Sequence, residues 1–283
     1  MTESTEHALA PGHLPGCLAL SKSANWNQNE ADWRLMLETG QGWGITLADG
    51  ALVASTLVLP YGKNFAWVSM VLVIPAHRRN GYASKLLRVA LADLKDRGLT
   101  PILDATPAGQ GVYRQAGFRD AWSFSRLALK TPFSGTGKAQ AAVREIAPAD
   151  WKEILELDAR AFGAGREKIL CNLAQRLPQA ALIAERAGRV AGYLLGRDGR
   201  EARQLGPLVA NDLETAQALL QTALGRVPQP LYADVADHAA ALRPWLESGG
   251  FEFQRPFTRM VHGADRAPGQ ESAVFLVAGP ELG

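Results

Sequence analysis

Residues 67–88 read Trp67-Val68-Ser69-Met70-Val71-Leu72-Val73-Ile74-Pro75-Ala76-His77-Arg78-Arg79-Asn80-Gly81-Tyr82-Ala83-Ser84-Lys85-Leu86-Leu87-Arg88. An apolar, β-branched run comes first, and Pro75 stops it. A basic loop containing Gly81 follows. Apolar residues then return at helical spacing, at Leu86, Leu87, Val89, Leu91 and Leu94. The stretch therefore predicts a strand, a tight loop and a helix N-terminus. The first N–H groups of a helix have no partner within it, and its dipole is positive at that end, so such a loop suits a phosphate. Gly81 permits a backbone turn that a side chain would hinder. Ala83 keeps the approach open, and Arg78 and Arg79 add donors and charge.

Outward from this stretch, periodicity predicts a strand at 18–21, a helix at 27–37 and a hairpin of 42–47 with 51–59 around Asp49-Gly50. A helix at 83–96, a strand at 101–105, a helix at 108–115 and a strand at 118–129 complete the first half. The first 14 residues read as a flexible N-terminus. Residues 131–141 begin Thr131-Pro-Phe-Ser-Gly-Thr-Gly-Lys138 and have the composition of a linker. After it the order repeats: strand 143–146, helices 150–157 and 167–177, hairpin 180–185 with 190–195, strand 205–210, helix 213–224, strand 231–235, helix 239–247 and strand 251–261. Gly249-Gly250-Phe251 echoes Ala116-Gly117-Phe118. The chain reads as a duplicated α/β fold, with one unit over 15–130 and a second over 142–283. Residues 273–278 are too apolar to be loose and are expected to add a strand or cover a sheet edge.

The spacing Arg78-x-x-Gly81-x-Ala83 resembles the acetyl-CoA pyrophosphate loop of the GNAT superfamily of N-acetyltransferases. About 0.3 such matches arise by chance in a chain of ordinary composition and this length. Arg160-Ala-Phe-Gly163-Ala-Gly165 matches too. That second match follows a helical pattern, not a strand, and reads as a helix stop. The resemblance extends well beyond the loop. Asn25-Trp26-Asn27-Gln28, Leu103-Asp104-Ala-Thr-Pro107, Tyr113 and Gly117-Phe118 look like a bacterial GNAT subgroup. Leu205-Gly-Pro-Leu-Val-Ala210, Arg255-Pro-Phe-Thr-Arg-Met260 and Gly279-Pro-Glu-Leu-Gly283 resemble the degenerate second GNAT domain fused to it. Gly165 stands where that subgroup is expected to carry an Asp.

The resemblance implies two tandem N-acetyltransferase folds, each a mixed, largely antiparallel sheet flanked by helices. It implies acetyl transfer from acetyl-CoA straight to a primary amine of a small molecule or peptide. Arg78, Arg79, Asn80, Gly81, Tyr82, Ala83 and Ser84 would hold the pyrophosphate, and the backbone of Val71, Leu72 and Val73 the pantetheine, with a splay toward 101–105 opening the slot. Tyr113 matches the tyrosine that protonates the departing thiolate. Trp26, Asn27, Gln28 and Asp104 are candidates for the acceptor side. Trp26 also suits core packing, Asn27 a helix cap. For Asp104, orienting the acceptor and capping the next helix both fit. The second half has Asn211-Asp212-Leu-Glu214 where the loop should be, and Leu246 where the tyrosine should be, so one CoA site is expected per chain. A CoA sensor without turnover and an O-acyltransferase are the competing readings.

Composition bounds the alternatives. A net charge of +2 with interleaved signs excludes a general nucleic-acid surface. No apolar run reaches the ~20 residues of a membrane span. The acidic start lacks a signal-peptide layout, and Cys17 and Cys171 lie far apart, so buried thiols in a reducing cytoplasm are expected. Five scattered histidines offer no metal spacing. A monomer, as an internal pseudo-dimer, or a homodimer fits equally.

Overall fold

The computed structural model describes residues 4–135 and 142–283, so the expected linker is described only through 135. The first half comprises β1 (Ser4–Ala8), α1 (Leu14–Ser23), α2 (Glu30–Thr39), β2 (Gln41–Leu47), β3 (Leu52–Tyr61), β4 (Phe65–Val73), α3 (Tyr82–Asp96), β5 (Thr100–Ala105), α4 (Pro107–Gln115) and β6 (Phe118–Leu129). The second comprises β7 (Ala142–Glu145), α5 (Trp151–Phe162), α6 (Glu167–Arg176), β8 (Leu182–Arg186), β9 (Arg189–Arg197), β10 (Arg203–Ala210), α7 (Leu213–Leu224), β11 (Leu231–Ala236), α8 (Leu242–Ser248), β12 (Glu252–His262) and β13 (Val274–Leu276). The strands are mostly antiparallel. Two pairs are parallel, β4 with β5 and β10 with β11, and they stand in equivalent places in the repeat.

Two expectations for the N-terminal region are corrected. Residues 4–8 are not loose but pair antiparallel with β2, from Ser4 opposite Leu47 to Ala8 opposite Trp43. The segment Ser-Thr-Glu-His-Ala shows no apolar alternation because it is an edge strand, held by backbone bonds rather than by a buried face. Residues 18–21 are helix, not strand. Leu14, Cys17, Leu20 and Ser21 are the buried positions of α1, a helical spacing that a four-residue apolar run does not reveal.

The described strands form one sheet, in the order β1-β2-β3-β4-β5-β12-β6-β11-β13-β10-β9-β8-β7. The two halves have thus exchanged their late strands. β12 of the second half lies between β5 and β6 of the first, with Arg259 opposite both Asp104 and Trp122. β6 runs in turn beside β11, from Leu129 opposite Leu231 to Phe124 opposite Ala236. One buried cluster accordingly spans both halves, joining Trp33, Trp67 and Phe124 to Leu170, Tyr193 and Val277. Full burial of each such side chain contributes about 1.5–3 kcal/mol.

Buried ion pairs cross the same seam. The Arg126 guanidinium donates to both oxygens of Asp234, at 2.7 and 2.7 Å. Arg259 donates to both oxygens of Asp104 and lies 4.4 and 4.2 Å from the ring centres of Trp67 and Trp122. Replacing Asp234 by Ala would leave the Arg126 charge buried and unpaired. We expect Asp234→Ala to destabilise the fold by about 3–5 kcal/mol. Because the seam is shared, both halves should unfold in one transition, measured by urea melts followed through far-UV and tryptophan signals. Separate transitions for the halves would contradict this.

Candidate active site

β4 and β5 pair only from Phe65 opposite Thr100 to Trp67 opposite Ile102. Beyond those residues they part. β4 stays bonded to β3 on its other side, with Leu72 opposite Ser55 and Val73 opposite Ala54, so the β5-facing edge at 71–73 is open. A register shift bulges β4 at this point, and Met70 takes a positive φ of 50° inside the strand. The Met70 carbonyl accepts a hydrogen bond from the Ser55 hydroxyl at 2.8 Å.

The loop after β4 has the anticipated form. Gly81 caps α3 in the left-handed conformation, with φ of 79° and no side-chain bond to the first turn. A β-carbon placed there would meet nothing within 4 Å, so Gly81 answers to backbone conformation rather than to protein packing. The first N–H bond back into the helix is from Lys85 to the Gly81 carbonyl, which leaves the preceding amides at the mouth of the loop. Arg78, Arg79 and Asn80 are exposed, and Leu86, Leu87, Ala90 and Leu94 anchor the apolar face of α3.

Where β4 and β5 part lies a narrow cleft, partly open to solvent. Trp26, Gln28, Val71, Asp104 and Tyr113 all line it, so the fold gathers these five predicted residues. The phenol of Tyr113, on α4, packs edge-on to Phe118 at 6.0 Å. Gly109, four residues earlier, makes room for that ring, since a β-carbon there would lie 2.8 Å from it. Burial pushes the Tyr113 phenol above its ordinary value, so it stays protonated across the neutral range.

Other predicted residues stand differently. Asn27 is not an acceptor contact. Its side chain is buried, donating to the Ala202 carbonyl and accepting from the amides of Glu201 and Ala202. Nor does it cap α2, since Asn29 does so by accepting from Asp32 N. Asp104 does not cap α4. Its carboxylate is held by Arg259, while burial pushes it up to about 6 against the pull of that guanidinium. Cys17 is a buried thiol pushed up to about 12 by burial. Among the described residues no three His, Cys, Asp or Glu side chains group to hold a metal, and no helix is long and apolar enough to cross a membrane.

Reasoning from sequence passed over several lining residues: Ser69, Arg126, Arg255, Phe257, Pro280 and Glu281. Arg255, Phe257 and Glu281 fall within motifs visible in the sequence, but only the strand exchange brings the first two, and the tail past β13 the third, to the first half's slot.

The second half has the same parting of strands, and it is filled. β10 and β11 pair from Arg203 opposite Leu231 to Leu205 opposite Ala233, then separate. β13 enters the gap, bonding to β10 at Leu208 and Val209 and to β11 at Val235. The expected extra strand is therefore real, and it occupies the place that is open between β4 and β5. At the start of α7, Asp212 accepts from Thr215 N at 2.8 Å, and Arg186 pairs with Asp212 and Glu214. Leu246 is fully buried in the core. The decoy Gly163 ends α5 in the left-handed conformation, with its N–H bonded to Ala159.

A sheet with one open splay, followed by a glycine-capped helix, is the architecture of an acyltransferase fold. The chain belongs to the GNAT acetyltransferases. The model of the Acetyltransferase (GNAT) family matches residues 15–118, and that of the Acetyltransferase (GNAT) domain matches 154–276. YitH of Bacillus subtilis, an N-acetyltransferase itself uncharacterized, is 22% identical over 84% of this chain and 84% of its own. The holothin acyltransferase of a Pseudoalteromonas species is 24% identical, over 86% of this chain and 82% of that protein. In fold the chain is similar to a candidate acetyltransferase from Pyrococcus horikoshii, with a TM-score of 0.80, 18% identity, and coverage of 99% and 96%. A GCN5-related N-acetyltransferase from Sphaerobacter thermophilus gives a TM-score of 0.66 at 17% identity, covering 95% and 97%.

With one slot open and the other filled, titration calorimetry is expected to give one acetyl-CoA per chain. Two equivalents would mean that β13 leaves its slot.

Proposed function

We propose that the protein transfers an acetyl group from acetyl-CoA to the primary amine of a small molecule or peptide, with no covalent enzyme intermediate. The observation that carries this reading is Tyr113, a phenol protonated at neutral pH, on the same cleft as the open edge of β4. In this reading the β5-facing backbone groups of Val71, Leu72 and Val73 hold the pantetheine amides as a further strand would, the Val73 carbonyl exchanging its 3.3 Å bond from Arg78 Nε. The amides of Asn80, Gly81, Tyr82, Ala83 and Ser84, with Arg78 and Arg79, take the pyrophosphate. Bound acetyl-CoA supplies an activated acyl carbon, and the chain supplies position, a proton and exclusion of water. Tyr113 gives its proton to the sulfur as the carbon–sulfur bond breaks and recovers one from the acylated nitrogen.

An amine is favoured over a hydroxyl because a neutral amine is nucleophilic without prior loss of a proton, whereas a hydroxyl needs a base to remove its own. A pure CoA sensor would have no use for a proton-donating phenol at this point. The longer-acyl alternative has one support, the likeness to a relative named for acyl rather than acetyl transfer.

Tyr113→Phe keeps the ring against Phe118 and removes the donor. Stopped-flow or steady-state thiol release is expected to show kcat lowered by roughly 10- to 1,000-fold with acetyl-CoA affinity nearly unchanged. Full kcat, where chemistry limits turnover, would reject the role.

Gly81→Asp tests the loop. It should weaken acetyl-CoA binding by at least about tenfold, because a carboxylate enters the phosphate site. Gly163→Asp is a poor control, since a β-carbon there would lie 2.7 Å from Gly269 N. Gly188→Asp is the better one. It too has a positive φ, 72°, and open space around it. Equal losses from Gly81→Asp and Gly188→Asp would show that the loop is not the site.

A further inference from the structure

The cleft holds polar groups that the acetyl-transfer reading leaves unused. Gln28, Ser69 and Glu281 are 2%, 5% and 2% exposed, and Gln28 Oε1, Ser69 Oγ and Glu281 Oε2 have no hydrogen-bond partner. Each of these atoms has no partner in the protein and lines the cleft, so each can bond to a ligand atom there. The charges in the cleft do not all cancel. Asp104 is paired with Arg259, and Arg126 with Asp234. Glu281 has one oxygen on Arg197, and its other oxygen is free.

Arg255 is the exception. It stands directly opposite Arg126 across β12 and β6, a like-charge pair that the sheet alone does not favour. A one-residue register shift at Gln254 precedes it and re-aims the strand at this position. Arg126 is satisfied by its carboxylate. Among the described residues no carboxylate lies within 4.0 Å of Arg255, whose one side-chain bond runs 3.3 Å to Gln254 Oε1. Burial first, and then Arg126, push its guanidinium below the ordinary value, as expected of a cation in want of an anion.

One ligand satisfies both ends. The structure assigns the acceptor as an amine that also carries a carboxylate, an amino-acid-like zwitterion, with Arg255 pairing with its carboxylate and Glu281 Oε2 accepting a hydrogen bond from its amino group, which gives up its extra proton to solvent before it attacks. This rests on the acetyl-transfer reading and names its substrate class. A carboxylate on the acyl chain would answer Arg255 alone and would be repelled by Glu281. A plain diamine would answer Glu281 and be repelled by Arg255.

The test uses the full chain with acetyl-CoA and matched acceptors: the proteinogenic L-amino acids, their amides and their decarboxylated amines. Thiol release is expected with at least one amino acid, at a kcat/KM about tenfold or more above its amide and its decarboxylated amine, the range for a charge-assisted bidentate bond. Arg255→Gln should collapse that ratio toward one, and Arg255→Lys should restore part of it, which a merely structural arginine would not do.

Calorimetry of the same amino acids on CoA-loaded protein reads recognition without turnover. Binding that depends on Arg255, even with no transfer, would uphold the assignment while sinking the acetyl-transfer reading. Turnover of carboxylate-free amines at equal or higher kcat/KM would overturn the assignment and leave acetyl transfer standing. So would a ratio unmoved in Arg255→Gln, or a preference for succinyl-CoA over acetyl-CoA that the same substitution abolishes. Absence of any amino-acid binding in the calorimeter, together with no turnover, would overturn both.

Discussion

The exchange of β6 and β12 between the halves is the constraint on which the rest of the molecule depends. A strand's neighbours are set by backbone bonds along its whole length, so moving β12 between β5 and β6 ties the first half's sheet to the second half's chain over many residues. The exchange is the internal counterpart of domain swapping between identical subunits. It also decides which side chains can meet. Arg259 reaches Asp104, Trp67 and Trp122 only because its strand runs between theirs. Arg126 finds Asp234 for the same reason, across β6 and β11. Buried pairs of this kind add little net stability, but they fix register, because a slip would strand a charge in the interior.

The same topology explains why two copies of one fold differ in what they leave open. Both copies part a parallel strand pair after three residues. In the second copy β13 fills the gap and satisfies the exposed backbone edges of β10 and β11. In the first copy the edge of β4 has no such neighbour. The segment that closes one slot then runs on to the other. Past β13, Pro280 accepts from Trp67 Nε1 at 3.1 Å, and Leu282 accepts from the Tyr61 hydroxyl at 2.8 Å. Glu281, between them, faces the cleft. The degenerate copy is therefore a part of the site's wall, not an appendage beside it.

Sequence alone made the local pieces legible and left their assembly hidden. The change from a β-branched run to helical spacing around Gly81 marks β4, the loop and α3 without ambiguity, because the two periods are physically distinct. The filled state of the second slot was half visible: Asp212, Glu214 and Leu246 speak against a phosphate or a proton donor there. The strand that fills it was visible only as an apolar run in need of cover. Strand pairing was not legible at all, since a strand's own residues state which face is buried but not which strand lies beside it. Asn27 illustrates the cost. Beside Trp26 and Gln28 it looks like a cleft residue, yet it bonds to residues 201 and 202, far away in the chain. Arg255 and Glu281 were missed for the converse reason. They belong to the second half's sequence and to the first half's cleft.

The cleft also shows where local stability has been given up. A buried polar atom without a partner costs about 1–3 kcal/mol, and Gln28, Ser69 and Glu281 each have one atom with no partner in the protein. Two arginines facing each other across β6 and β12, and a methionine at positive φ inside β4, add to that cost. None of these is forced by the fold. Nearby positions on the same strands are apolar and well packed, with Phe124 stacked on Phe257 at 5.0 Å in the adjoining core. Three unmet polar atoms and the positive φ of Met70 thus meet at one cavity, while the equivalent gap in the second half is closed by a strand that meets its backbone needs. A surrounding core that spans both halves can hold such a cavity open. The unmet groups that line it are placed to bond to a ligand rather than to the chain itself.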